Sequence, residues 1–218
     1  MFKLSQIVVA ISLALLLQGE TKISIDHNSN TNANRAFKFK NVPPPAKDDA
    51  ATNAKVMLLD GDVDPNCGDL SVLTDGLAPT SEDQPGSNLF FSAGTGGGRF
   101  RIDLGKTIEI VQVNTYSWHP GSRGPQVYRL WGGDESNPKF NAEPKGTIDP
   151  ASYGWKQIAL VDTRSSDGQD GGQYGVSISS LQGSLGSYRY LVFDVYATEV
   201  ADNWGNTFYS EVDVVAKK

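Results

Sequence analysis

The residues best suited to chemistry gather in two short stretches. Tyr116-Ser117-Trp118-His119-Pro120-Gly121-Ser122-Arg123 and Asp202-Asn203-Trp204-Gly205-Asn206 each set an indole beside hydrogen-bonding side chains in a turn-like sequence. An indole face packs on the apolar C–H face of a sugar ring, while imidazole, guanidinium and amide groups answer its hydroxyls. Trp118 and Trp204 are the candidate stacking platforms, with His119, Arg123 and Asn203 as their polar partners. The competing reading is structural: Trp118 plugs the end of a sandwich, and Arg123 pairs with a surface carboxylate at little energetic gain.

Other suggestive patterns fail on inspection. Gly94-Thr95-Gly96-Gly97-Gly98 has Arg99 where a dinucleotide fingerprint needs glycine, and Leu104-Gly105-Lys106-Thr107 has Phe100 where a phosphate loop needs its earlier glycine. Asp60-Gly61-Asp62-Val63-Asp64-Pro65-Asn66 alternates carboxylates as a calcium loop does, but Pro65 and Ser71 replace the required glycine and bidentate glutamate. It reads as a solvated acidic turn. With His119 the single histidine beyond residue 54 and Cys67 the single cysteine, a zinc site built from several His or Cys is excluded. No G-x-S-x-G elbow accompanies a serine nucleophile, and no carboxylate pair stands out as a glycosidase pair. The chain therefore reads as a non-enzyme.

A chain of 218 residues suits one domain with a tail, and 23 Gly and 11 Pro argue for short strands and turns over a helical bundle. A formal charge of −6 opposes attraction to phosphate backbones and anionic headgroups, so neither nucleic acid nor an anionic membrane is an expected partner. Lys3 precedes residues 7–17, in which only Ser12 is polar; this is too short to span a bilayer and reads as a secretory signal over residues 1–19, cleaved near Gly19. Export to the periplasm, the cell surface or the medium follows. Cys67 has no partner for an intramolecular disulfide and is expected as a half-buried small hydrophobe.

Residues 20–54 are rich in Asn and Pro and lack apolar periodicity, which predicts a flexible linker with His27 as a solvated member. From residue 55 onward, apolar residues recur with a period near two between Gly, Pro, Asn and Asp clusters. Residues 99–104 are the clearest case: Phe100, Ile102 and Leu104 fall on a buried face and Arg99, Arg101 and Asp103 on a wet one. Further strands are expected over 56–59, 89–91, 108–116, 126–131, 155–161, 174–179, 188–196 and 208–215, with a phase change at Ile110-Val111 that signals a bulge or a doubly buried strand. Trp131 and Trp155 follow the strand pattern and are expected in the core. The economical architecture is an all-β antiparallel sandwich spanning residues 55–216.

In order along the chain stand Leu73-Thr74-Asp75-Gly76, Phe100-Arg101-Ile102-Asp103-Leu104-Gly105, Val127-Tyr128-Arg129-Leu130, Trp155-Lys156-Gln157-Ile158, Tyr188-Arg189-Tyr190-Leu191 and Ser210-Glu211-Val212-Asp213-Val214. This succession resembles the discoidin, or coagulation factor 5/8 type C, family of galactose-binding-like domains, in a bacterial-type secreted form. The resemblance implies a jelly-roll β-sandwich whose end loops bind glycans without catalysis. It also implies a structural calcium ion, carried residue by residue onto Asp75, Thr80 and Glu211. Carboxylate and hydroxyl oxygens suit a hard cation. Against that, Glu211 alternates with Val212 and Val214 as a solvent-facing residue would, and Thr80-Ser81-Glu82 stands where the family has Thr-x-Trp. The expected function is that of an exported lectin-like module. The alternatives are a protein-interaction scaffold on the same fold and, less favoured, a glycan hydrolase.

Overall fold

The computed structural model describes residues 20–146, 148–166, 171–199 and 206–218. The expected signal segment lies outside the described residues, as do Asn203 and Trp204. Eight antiparallel strands are described: β1 (Thr21–Asn28), β2 (Lys55–Asp60), β3 (Gly97–His119), β4 (Val127–Gly133), β5 (Lys156–Asp162), β6 (Gly172–Ser180), β7 (Gly186–Tyr196) and β8 (Tyr209–Ala216).

β3 organises the molecule because its two halves belong to different sheets. Residues 97–103 lie between β2 and β7, and β4 and β5 continue outward from β7, which makes a five-stranded sheet. From Gln112 onward β3 lies between β6 and β8, with β1 outside β6, which makes a four-stranded sheet. The register against β7 shifts between Asp103 and Ile108, where Gly105 takes φ +77° and donates its N–H to Asp103 Oδ1 at 2.8 Å. A residue with a Cβ is strained at that φ, so glycine lets the strand turn out of one sheet and into the other. The predicted bulge is found as the register shift between Ile110 and Gln112 against β8.

Between the sheets, alternate side chains interleave: Phe100 and Ile102 of β3 meet Leu191 and Phe193 of β7 and Val212 and Val214 of β8, all fully buried. This is the antiparallel sandwich that the periodicity indicated, in the jelly-roll form that the resemblance implied. Residues 89–91, expected as a strand, contribute isolated bridges, Val63 to Phe91 and Leu89 to Tyr209.

Two expectations are corrected, both for the same physical reason: the outer faces of the sheets are covered. Arg99 and Arg101, read as facing solvent, are 5% and 6% exposed. The excursion over residues 134–155 folds back on the five-stranded sheet, packing Phe140, Ala142 and Trp155 against Trp131, Tyr190 and Val192. Trp131 and Trp155 are thus core residues, as expected, but of this second cluster. Arg101 is tolerated there because it donates to the Ala142 carbonyl at 2.7 Å and lies 4.9 Å from the centre of the Tyr190 ring.

The second correction concerns residues 20–54, which are not a flexible linker. β1 adds to the edge of β6 in continuous register from Thr21 opposite Ser180 to Asn28 opposite Gln173. Beyond β1 the chain crosses the outer face of the four-stranded sheet, where Phe37 and Val42 bury themselves against Tyr116 and Trp118. Asp26 holds this crossing by accepting the backbone N–H of Val42 at 2.7 Å and the Asn41 side-chain amide at 2.9 Å. His27, expected to be solvated, is exposed but held in place: it stacks on Tyr174 with ring centres 4.3 Å apart and donates its Nε2–H to the Gly171 carbonyl at 3.1 Å.

Candidate functional site

His119 ends β3, and the turn after it returns the chain to β4. Its Nδ1 accepts the backbone N–H of Gly121 at 3.0 Å, and Gly124 N–H donates to the Gly121 carbonyl at 2.9 Å, so the turn presents the imidazole in a fixed orientation. With Nδ1 used as an acceptor, the neutral ring carries its proton on Nε2. The ring meets Phe208 edge-on, centres 4.6 Å apart. Burial pushes the His119 pKa below its ordinary value, and the nearby Arg123 charge pushes it the same way.

Arg123 lies over an aromatic shelf. Its guanidinium carbon is 5.3 Å from the Phe208 ring centre and 5.6 Å from that of Phe90, and those two rings stack at 3.9 Å. Both phenylalanines are 2% exposed, so the shelf is part of the packed scaffold. The Arg123 carbonyl accepts the Phe208 N–H at 2.9 Å, which ties the turn to the chain entering β8. Beside them, buried Asn206 donates through its amide to the Ser92 carbonyl at 3.0 Å, while its Oδ1 finds no donor among the described residues. The arrangement is a neutral imidazole and a cation, held side by side on a rigid aromatic base at one end of the sandwich. Such a pair donates toward hydroxyl oxygens and contains no nucleophile activated by a base.

No protein-family model matches the chain, and no curated protein matches it in sequence. Solved structures do match in shape. The lectin domain of lectinolysin complexed with Lewis B antigen superposes with a TM-score of 0.50 at 14% identity, covering 79% of this chain and 99% of that one. The chain has the galactose-binding-like jelly-roll fold. A Streptococcus pneumoniae fucose binding module (TM-score 0.47, 15% identity, 83% of this chain and 100% of that one) is also similar. So is chitosan-binding module 1 from a chitosanase/glucanase of Paenibacillus sp. IK-5 (0.47, 12%, 78% and 99%).

Within this galactose-binding-like sandwich, the expected ligand residues divide. His119 and Arg123 come together as described. Trp118 does not join them: it is 6% exposed, meets Phe37 edge-on at 5.7 Å and donates its indole N–H to Asn30 Oδ1 at 3.2 Å. Adjacent residues on a strand face opposite sides, so Trp118 points under the N-terminal crossing while its neighbour His119 reaches the end loops. Asn203 and Trp204 lie outside the described residues, next to Asn206. Phe90 and Phe208 carry no ligand-binding pattern in the sequence, and Asn206 stands in the second indole-bearing stretch without a role of its own. A signal for Phe208 existed, since it follows the indole of the second stretch, Trp204, by four residues.

The expected cation ligands also divide. Glu211 sits on β8 and is 1% exposed, accepting the Gly76 backbone N–H through Oε2 at 2.9 Å, so it does not face solvent. Burial, then the charges of Asp213 and Asp75, push its pKa up to about 9. Burial also raises that of Asp75. Asp213 is pushed up to about 6 by burial, against the opposing effect of a hydrogen bond from the Tyr116 hydroxyl at 2.9 Å. Thr80 is turned away, with both its N–H and its hydroxyl directed to Gln84 Oε1. Among the described residues no group of three or more His, Cys, Asp or Glu side chains forms a metal cluster.

Proposed function

We propose that this chain is an exported, non-catalytic carbohydrate-binding module that grips a sugar at the loop end of its sandwich. The observation that carries this reading is the pairing of His119 and Arg123 on the Phe90–Phe208 shelf. Both side chains are fixed before any ligand arrives, so little side-chain entropy is lost on binding. Nε2–H of His119 and the outer N–H groups of Arg123 donate to adjacent hydroxyls, and Asn203 and Trp204 supply a further amide and the stacking face. The fold is shared with a lectin domain solved with Lewis B antigen, which supports a sugar as the ligand class. Export rests on the apolar run of residues 7–17 behind Lys3.

A structural calcium ion is part of the same reading. Asp75 and Glu211 would hold it, with Thr80 in the same loop, and it would link the loop at Gly76 to β8 by neutralising the buried Glu211 carboxylate and the exposed Asp75 carboxylate whose charge opposes it.

The test is a glycan array probed with the full mature chain and with its His119→Ala, Arg123→Ala and Trp204→Ala variants, in calcium-containing buffer. A sugar-selective signal, competed away by the free sugar and lost in the variants, is expected. Saturable protein binding indifferent to sugars would replace this reading with the scaffold function. Turnover of a glycan, lost with a single carboxylate, would replace it with hydrolysis.

A further inference from the structure

A second cleft, of about 330 Å³, opens on the outer face of the five-stranded sheet, away from the His119–Arg123 pair. Its floor is a cross-strand row of charges: Arg99 on β3 is registered against Asp194 on β7, which is registered against Arg129 on β4. Arg99 is committed to structure. It grips Asp194 with two hydrogen bonds, at 2.9 and 3.1 Å, and donates to the carbonyls of Pro144 and Ile148, so the wall of the cleft is pinned to its floor.

Arg129 is different. It is exposed, has no carboxylate or carbonyl partner among the described residues, and rests with its guanidinium carbon 5.8 Å from the Tyr196 ring centre. Trp131, two residues along the same strand face, lines the cleft and is 5% exposed, and its indole N–H has no acceptor among the described residues. A buried donor left without an acceptor is costly, and native proteins keep few of them. Asp149 and Asp194 add carboxylate oxygens at the rim and floor.

We propose that this cleft is a second carbohydrate subsite, taking a neutral pyranose between Arg129, Tyr196 and Trp131. The ligand class follows from the groups present. Donors without acceptors call for oxygens, the Tyr196 ring calls for an apolar C–H face, and the carboxylates call for hydroxyl donors. Two arginines balanced by two aspartates, in a chain of charge −6, give an anionic sugar no electrostatic advantage. Arg129 would engage two adjacent hydroxyl oxygens with its planar fork, the geometry that lysine cannot reproduce. This inference rests on the glycan-binding reading, and its test separates the two.

The full mature chain is titrated with lactose, fucosyllactose and chitotetraose while the indole N–H resonances are followed, the Trp131 signal being assigned through Trp131→Phe. At saturation with at least one of these sugars the Trp131 signal moves in the wild type and in Arg123→Ala. In Arg129→Ala, a surface change that leaves the fold intact, the movement is lost or needs roughly tenfold more sugar. If sugar binds, Arg123→Ala abolishes it and the Trp131 signal never moves, the cleft is no subsite and the end-loop site stands alone. If the Trp131 signal moves while Arg123→Ala changes nothing, the cleft is the sugar site and the end-loop assignment falls. If none of the three sugars perturbs any indole, this proposal fails whatever the glycan array reports for the end loops.

Discussion

The ring of Phe37 meets the indole of Trp118 edge-on, with centres 5.7 Å apart and planes at 90°, and neither side chain is more than 6% exposed. This contact joins a residue of the polar N-terminal stretch to the strand that both sheets share. Phe37 also meets Tyr116 edge-on at 6.1 Å, so one ring covers two outward-facing aromatics. Truncating it leaves a cavity that the sheet beneath cannot collapse to fill. Phe37→Ala is expected to lower stability by about 3–5 kcal/mol, read as a fall in the urea midpoint at unchanged slope. A chain begun at residue 46 loses Phe37, Val42 and β1 together, and is expected to aggregate or to unfold at far lower urea.

The strands from β2 to β8 were legible because each alternates against a common core, and a period of two survives in sequence wherever one face is buried. Phe100, Ile102, Leu191 and Phe193 show it plainly. β1 and the crossing after it were not legible. Ile23, Ile25, Phe37 and Val42 are scattered among Asn, Lys and Pro, and the segment is held by edge pairing and by Asp26 accepting backbone N–H groups, which leave no periodic trace. The outer faces misled for a related reason. Alternation tells which side chains leave the core, as with Arg99, Trp118 and Glu211, but it does not tell that another segment will cover them. At the site, His119 and Arg123 were legible from residue type in a turn, whereas the phenylalanine shelf beneath them is assembled from residues 118 positions apart.

His119 makes binding sensitive to acid. Its pKa is lowered from 6.5 by burial and by Arg123, so the folded protein holds it neutral at pH 7. A histidine with a depressed folded pKa contributes stability above its ordinary value, and that contribution is lost as pH falls through the lowered one. Protonation would also set a second cation beside Arg123 and remove the Nδ1 acceptor that orients the turn. Sugar affinity is expected to be flat at and above pH 7 and to weaken as pH falls through the lowered pKa of His119, which lies below 6.5. His119→Gln should bind more weakly at neutral pH but flatten that profile, which calorimetric titration at a series of pH values will show.

Calcium should act through Glu211. A cation bound only to the native state stabilises it by mass action, so calcium at a hundred times its dissociation constant is expected to raise the melting temperature by roughly 5–10 °C over chelator-treated protein. Glu211→Gln keeps an oxygen to accept the Gly76 N–H but removes the charge that holds the ion. The variant should therefore fold and melt at a temperature indifferent to calcium. An equal calcium response in wild type and variant would move the ion elsewhere, and no response in either would remove it.

Arg99 and Asp194 should prove strongly coupled. Their side chains are only 6% and 16% exposed, their two hydrogen bonds form a planar fork, and Arg99 also fixes the 144 and 148 carbonyls. Removing one charge of such a pair strands the other where water cannot replace it, so Asp194→Asn is expected to cost about 3–5 kcal/mol. Replacing both, as Arg99→Met with Asp194→Leu, removes the stranded charge and should restore part of that loss, although the two freed carbonyls keep it from being complete. The comparison is Arg164 with Asp162, a pair of similar geometry whose side chains are 40% and 43% exposed. Water and salt screen that pair, so a double-mutant cycle there should give a small coupling that fades further in high salt, while the Arg99–Asp194 coupling persists. Equal coupling in the two cycles would mean that the cover over residues 134–155 does not exclude water from the sheet.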